Sequence, residues 1–155
     1  MLRVTKLTDY GVGLMTSLAE RPTGAMVTAS DLSDDLQLPL PTVRKILKTL
    51  TRENLLVSHR GVSGGYSLAR QPGEITLMDM VAALEGPMGL TECSTGEACG
   101  CDREVVCGLK ENWSLVNSLV QRTLDSYTLD QMTGTLPHRD EPRNMQSLSG
   151  MGGRG

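Results

Sequence analysis

Three observations predict a mainly α fold, a winged helix-turn-helix with a small β-hairpin wing followed by a long C-terminal helix. Three helical patterns succeed one another up to Arg52. Two short apolar strands flanking a glycine-rich segment follow directly, and a long amphipathic stretch begins near Leu109. Helix, helix, turn, helix and hairpin is the order of a winged helix-turn-helix.

The first helix is expected over Thr8–Glu20, where Tyr10, Leu14 and Leu18 recur every fourth residue and Pro22 stops the pattern. Thr28-Ala29-Ser30-Asp31 has the form of a capping box and opens a second, short helix through about Leu36. Pro39 and Pro41 break the chain, and Pro41 suits the first turn of a third helix, where its missing N–H costs nothing. That helix carries Val43, Ile46, Leu47 and Leu50 as one apolar stripe. Leu55-Leu56-Val57 and Tyr66-Ser67-Leu68 read as the strands of the wing, and the glycines between them supply the positive-φ turn of a hairpin. Thr76-Leu77-Met78-Asp79 repeats the capping box and starts a helix through about Leu84, which Gly86-Pro87 ends.

From Leu109 onward, Trp113, Val116, Val120, Leu124 and Tyr127 continue an apolar stripe over a helix roughly 25–30 Å long at 1.5 Å per residue. Nothing in so small a domain obviously covers a helix of that length, so it is read as a dimer arm. The expected organisation is a winged helix-turn-helix domain over residues 1–75, a linker helix and cysteine loop over 76–107, a dimerisation helix over 108–133 and a tail over 134–155. The tail is rich in Gly, Pro and Ser and is expected to be disordered.

The core must be built without Phe and with one Trp and three Tyr, so Leu, Val, Ile, Ala and nine Met have to fill it. Net charge is −3 overall, but residues 1–75 carry +2 and residues 76–155 carry −5, so only the first part is suited to meet a polyanion. The N-terminal residues lack an apolar run like that of a secretory signal, and no window approaches the roughly 18 apolar residues of a membrane span. A cytoplasmic location is expected.

The third helix has the two faces of a recognition helix. Opposite its apolar stripe stand Thr42, Arg44 and Lys45 toward the N-terminal end, where side chains reach base edges, and Lys48 and Arg52 further along, suited to phosphates. Arg60, Ser63 and Gly64 on the wing are candidates for backbone or minor-groove contact. The alternative is a solvated basic face on an ordinary surface helix, which the hairpin directly after it argues against. One such module makes few phosphate contacts, so useful affinity implies a homodimer on a palindromic double-stranded site.

All four cysteines lie in one loop with the spacing Cys93-x5-Cys99-x-Cys101-x5-Cys107. In a reducing compartment such a group reads as metal-binding or redox-active. Thiolates are soft ligands for iron–sulfur clusters or zinc, and structural zinc favours paired Cys-x2–4-Cys knuckles that are lacking here. Wide gaps suit a cluster, with zinc or a thiol redox switch as the alternatives. Glu92, Glu97, Asp102 and Glu104 make an acidic setting that does not activate a lone thiol.

Taken together, Leu7-Thr8-Asp9-Tyr10-Gly11, Arg60-Gly61 with Gly64-Gly65-Tyr66, and the cysteine loop before a long helix resemble the IscR/NsrR (Rrf-type) family of winged-helix iron–sulfur transcription regulators. The likeness runs from about Leu2 to Thr133. Leu90-Thr91-Glu92-Cys93-Ser94 and the Cys107–Trp113 stretch look most like the regulators of SUF iron–sulfur assembly operons. The resemblance implies a homodimer joined through the long helix, a [2Fe-2S] or [4Fe-4S] cluster on three cysteines per subunit, and DNA affinity that depends on the cluster. The family pattern has three cysteines where this loop has four; Cys93, Cys101 and Cys107 are the favoured set, with Cys99 the competitor of Cys101. Lys110 stands where the IscR-like branch places a histidine ligand. Asp9 matches the aspartate that the nitric-oxide-sensing branch borrows from the partner's first helix, and the spare cysteine or an exogenous ligand are the alternatives.

The function expected from these features is a repressor that senses cluster status and controls SUF-type genes. Its rivals are a nitric-oxide-sensing repressor of the same family, a small electron-transfer or thiol-redox protein using the cysteine loop, and a zinc-stabilised adaptor. No Ser/His/Asp set, nucleotide-binding glycine loop or paired catalytic carboxylates stand out, and no enzyme activity is expected.

Overall fold

A computed structural model describes residues 4–91 and 107–134, and the described residues form five α-helices and one hairpin. Helix α1 spans Lys6–Ala19, α2 Ala29–Leu36 and α3 Leu40–Arg52. Strands β1 (Leu56–His59) and β2 (Gly65–Leu68) form the wing, followed by a 3-10 turn at Pro72–Glu74, α4 (Leu77–Glu85), α5 (Lys110–Asp125) and a second 3-10 turn at Asp130–Met132. The tail beyond residue 134 and Cys93, Cys99 and Cys101 lie outside the described residues.

The caps explain the boundaries. Helix α1 begins two residues before its expected start, because Thr5 in extended conformation accepts a hydrogen bond from the Thr8 N–H and caps it. Both expected capping boxes form, Thr28 with Asp31 on α2 and Thr76 with Asp79 on α4. Pro41 occupies the first turn of α3 as expected. At the other end of α3, Asn54 turns left-handed (φ 58°) and the Leu55 N–H bonds back to the Leu50 carbonyl at 3.0 Å. This cap takes up Leu55, so the first wing strand starts one residue later than its sequence suggests and runs on to His59.

The stripe of α3 is the centre of the core. Val43, Ile46, Leu47 and Leu50 are fully buried against Leu14, Met15 and Leu18 of α1 and Leu32 of α2. Each such side chain stabilises the fold by about 1.5–3 kcal/mol. The core continues past the winged helix-turn-helix: Ile75, Met80 of α4 and Leu129 beyond α5 belong to the same cluster and are fully buried. After α5 the chain returns to the domain, where the Leu77 N–H donates to the Tyr127 carbonyl at 2.7 Å and the Leu129 N–H to the Ile75 carbonyl at 2.8 Å. The long helix is therefore rooted at its C-terminal end in the first domain.

In the wing, Leu56 pairs with Leu68 and His59 with Gly65 in antiparallel register. Val27 adds a single bridge on the outer edge through reciprocal bonds with Tyr66 of 3.0 and 2.9 Å. Of the wing glycines only Gly61 has a positive φ, +111°. Gly64 and Gly65 serve close approach instead: a Cβ would lie 2.3 Å from the His59 carbonyl oxygen at Gly64 and 2.7 Å from that of Val27 at Gly65. Among the described residues no helix is long and apolar enough to cross a membrane.

Candidate functional site

Two regions gather the residues singled out in the sequence. The first is the outer face of α3 with the wing. Arg44, Lys48 and Arg52 are four residues apart and share one exposed stripe, with Lys45 exposed beside it and Thr42 half-buried near the helix start. This face is opposite the buried Val43–Leu50 stripe, so the packing that holds α3 also turns its cations outward. Arg52 pairs with Glu53 at 3.0 Å on the open surface, a contact too exposed to hold it against a polyanion. Arg44, Lys45, Lys48 and Arg60 make no ion pair among the described residues. On the wing Arg60 and Ser63 are exposed and Gly64 is half-buried. Sequence reading passed over Val62, which projects fully into solvent at the wing tip. A lone apolar residue between glycines carries no periodic signal.

The second region is a groove of about 1080 Å³ between the start of α1, α4 and α5. It is lined by Asp9 and Val12 of α1, Val81 of α4, Met88, and Trp113 and Val116 of α5. The segment leading to the cysteines, Pro87–Leu90, lines it as well. Asn117 of α5, only 4% exposed, donates through Nδ2 to the Met88 carbonyl at 3.3 Å and accepts the Leu90 N–H at 3.2 Å. Gln121, one turn on, donates to the same Met88 carbonyl at 3.2 Å. The two side chains thus hold the chain leading to the cysteines against the helix that follows them. Neither was found from the sequence, since a polar residue in an amphipathic helix reads as solvent-facing until its partner is known.

Of the expected metal ligands the structure describes two. Cys107 is a free, half-buried thiol just before α5, and its carbonyl accepts the Lys110 N–H at 3.3 Å. Asp9 is an exposed carboxylate in the first turn of α1. Among the described residues no three His, Cys, Asp or Glu side chains come together as a metal site, and the remaining cysteines lie outside that range. In donor chemistry, one thiol at the root of α5 and one carboxylate on the groove lined by the other root suit an iron–sulfur group.

Glu85, the last residue of α4, also lines the groove. One of its carboxylate oxygens accepts a short hydrogen bond from the Thr8 hydroxyl and another, of 2.9 Å, from the Thr5 N–H. These two bonds hold its carboxyl below the ordinary 4.5, the Thr8 bond contributing most. The outer side of α5 is apolar and open: Leu115 and Leu119 are 61% and 53% exposed.

The comparisons with known proteins agree with this architecture. The profile of the Rrf2 family, described as iron-dependent transcriptional regulators, matches residues 4–135. The HTH-type transcriptional regulator NsrR of Bacillus licheniformis is 26% identical over 137 residues, covering 88% of this chain and 96% of that protein. The structure of CymR, the global cysteine regulator of B. subtilis, superposes with a TM-score of 0.68 at 26% identity, over 88% of this chain and all of that one. IscR of T. potens gives a TM-score of 0.63 at 28% identity, over 84% and 85% of the two chains. These relatives are transcription regulators, not enzymes. The winged fold, the outward cations of α3 and the family match over nearly the whole described chain lead to one conclusion: the chain belongs to the Rrf2 family of iron-dependent, DNA-binding transcriptional regulators.

Proposed function

We propose that this regulator senses iron–sulfur cluster supply and represses SUF-type assembly genes as a homodimer on a palindromic operator. The observation that carries the proposal is the groove lined by Asp9 and by the Met88–Leu90 segment that leads to the cysteines, which Asn117 holds against α5, the helix that starts after Cys107. In this reading Cys93, Cys101 and Cys107 hold the cluster, Cys99 is spare, and Asp9 is the fourth ligand, given across the dimer. When bound, a cluster of this kind supplies a group that iron shortage, oxidants and nitric oxide damage.

The chain's own residues do the rest. Thr42, Arg44 and Lys45 read bases, Lys48 and Arg52 meet phosphates, and Arg60, Ser63 and Gly64 bring the wing to the backbone. The exposed apolar side of α5 is the face a second copy covers, which makes α5, the helical part of the expected 108–133 segment, the dimerisation helix. Because the chain just beyond α5 is anchored by the buried Leu129, a shift at the Cys107 end is passed along α5 to the domain that carries α3. A ligand changes DNA affinity only by favouring one of two such arrangements.

Anaerobic purification, or reconstitution with ferrous salt and sulfide, tests the reading. Red-brown protein with iron and sulfide in each chain is expected, and Cys107→Ser should lose the colour while remaining a folded dimer. Holo and apo protein should then differ in affinity for a SUF promoter; equal affinities refute sensing. Asp9 also favours a second reading, the nitric-oxide sensor, in which nitric oxide, not iron shortage, releases the promoter of a detoxification gene. The likeness to CymR, described as a cysteine regulator, favours a third reading with no cluster. Colourless protein that binds DNA regardless of iron would support it.

A further inference from the structure

Two residues of the Leu7–Gly11 stretch, Thr8 and Gly11, have no part in the chemistry proposed above, yet both are buried. The Thr8 side chain is fully enclosed, and its hydroxyl donates a hydrogen bond to Glu85. The same Glu85 oxygen takes the Thr5 N–H at 2.9 Å, and the Thr5 hydroxyl lies 3.2 Å from that of Thr8. One turn along, Gly11 faces Leu84, and a Cβ there would come within 2.4 Å of a Leu84 methyl. The start of α1 is therefore fastened to the last turn of α4 at two points, by a hydroxyl–carboxylate contact and by bare backbone against Leu84. Asp9 lies between them in sequence and lines the groove. On the α4 side, Glu85 is followed at once by Gly86, with φ +89°, and by the Pro87–Leu90 segment that Asn117 grips.

We propose that Glu85 is a positioning residue that fixes where the Asp9 carboxylate stands on the groove, by fastening the first turn of α1 to the end of α4. The physical reason is that the first turn of a helix lacks internal partners for its N–H groups and frays unless something outside holds it. Glu85 supplies an acceptor to one of these groups and to a buried hydroxyl, and its negative charge suits the N-terminal end of the helix dipole. The inference rests on the reading of Asp9 as a cluster ligand and adds the residue that aims it.

The test uses the full-length protein with Glu85→Ala, Glu85→Gln and Thr8→Val, each alone and combined with Asp9→Ala. In the apo protein, amide hydrogen exchange in the first turn of α1 should quicken about tenfold in E85A and T8V, which lose the acceptor or the donor. E85Q keeps an acceptor oxygen and should stay near wild type. After anaerobic reconstitution, E85A and T8V should lose the visible cluster signal to a chelator several times faster than wild type, with E85Q again close to wild type. In the D9A background, E85A should make no further difference, because contacts that act through one residue are not additive.

An E85A effect of undiminished size without Asp9 would mean a general loss of stability and would overturn the proposal. Faster cluster loss in E85Q with unchanged exchange would make Glu85 itself a ligand and would also overturn it. Wild-type protein that takes up no cluster would refute the cluster reading instead. The exchange measurement would then still decide whether Glu85 holds α1, and unchanged exchange in E85A and T8V would end the proposal on its own.

Discussion

Replacing Leu129 by Ala tests whether the chain beyond α5 belongs to the core of the DNA-binding domain. The Leu129 side chain is fully buried in the same cluster as Leu14, Ile46 and Met80, and its N–H is tied to the Ile75 carbonyl at 2.8 Å. Removing a buried Leu side chain costs about 2–5 kcal/mol, the lost transfer energy plus the cavity left behind. With total stabilities of about 5–15 kcal/mol, that is a large share. A loss of about 3 kcal/mol would lower Tm by about 6–12 °C in a chain of this size. Urea denaturation followed by circular dichroism, at two protein concentrations tenfold apart, separates this effect from dimerisation. The L129A loss should be independent of concentration. Leu119→Ala provides the contrast, since Leu119 is 53% exposed in the single chain and should cost at most about 0.5 kcal/mol there. If α5 joins two subunits, the L119A loss will change with concentration. A Leu129→Ala cost below about 1 kcal/mol would refute the argument that α5 is rooted in the domain, since a buried Leu does not give so little.

Three further predictions follow from particular residues. Arg60→Ala should weaken binding to all duplexes alike and reduce the slope of log affinity against log salt by about one, the mark of one lost phosphate contact; a change confined to one sequence would instead make Arg60 a base reader. Gly64→Ala should lower operator affinity by about tenfold with little change in helix content, because the added methyl meets the His59 carbonyl oxygen and the Arg60 backbone, neither of which can rotate away. Unchanged binding by G64A would mean that the wing does not touch DNA. Asp31 is held below its ordinary 3.8, first by the Thr28 hydroxyl, then by the Thr28 N–H, with help from Arg21. A lowered carboxyl contributes stability that is present above its unfolded pKa and lost as pH falls through the folded value, so Asp31→Asn should flatten the loss of stability below about pH 4. An acid limb unchanged in D31N would show that the capping box contributes nothing to it.

Much of the fold was legible in the residues because it depends on near neighbours. The Val43, Ile46, Leu47 and Leu50 stripe, the two capping boxes at Thr28 and Thr76, and Pro41 in the first turn of α3 all follow from contacts within about one or two helical turns. The outward cations of α3 followed as well, since burying one face of a helix commits the other to solvent. The wing was placed within a residue or two, but its glycines were assigned the wrong reason: only Gly61 needs a positive φ, while Gly64 and Gly65 make room for backbone that comes close.

Periodicity, caps and ligand chemistry act over short spans of chain, so the helices, their order, the polarity of α3 and the grouping of thiols are legible in the residues. Long-range packing is what returns Leu129 to the first core, sets Asn117 and Gln121 on the Met88–Leu90 segment, and brings Glu85 to Thr5 and Thr8 some eighty residues away. Such pairs carry no spacing signal. Each side chain alone reads as an ordinary apolar, amide or acidic residue, and its role depends on which distant backbone the packing of α1, α4 and α5 brings within hydrogen-bond or contact distance.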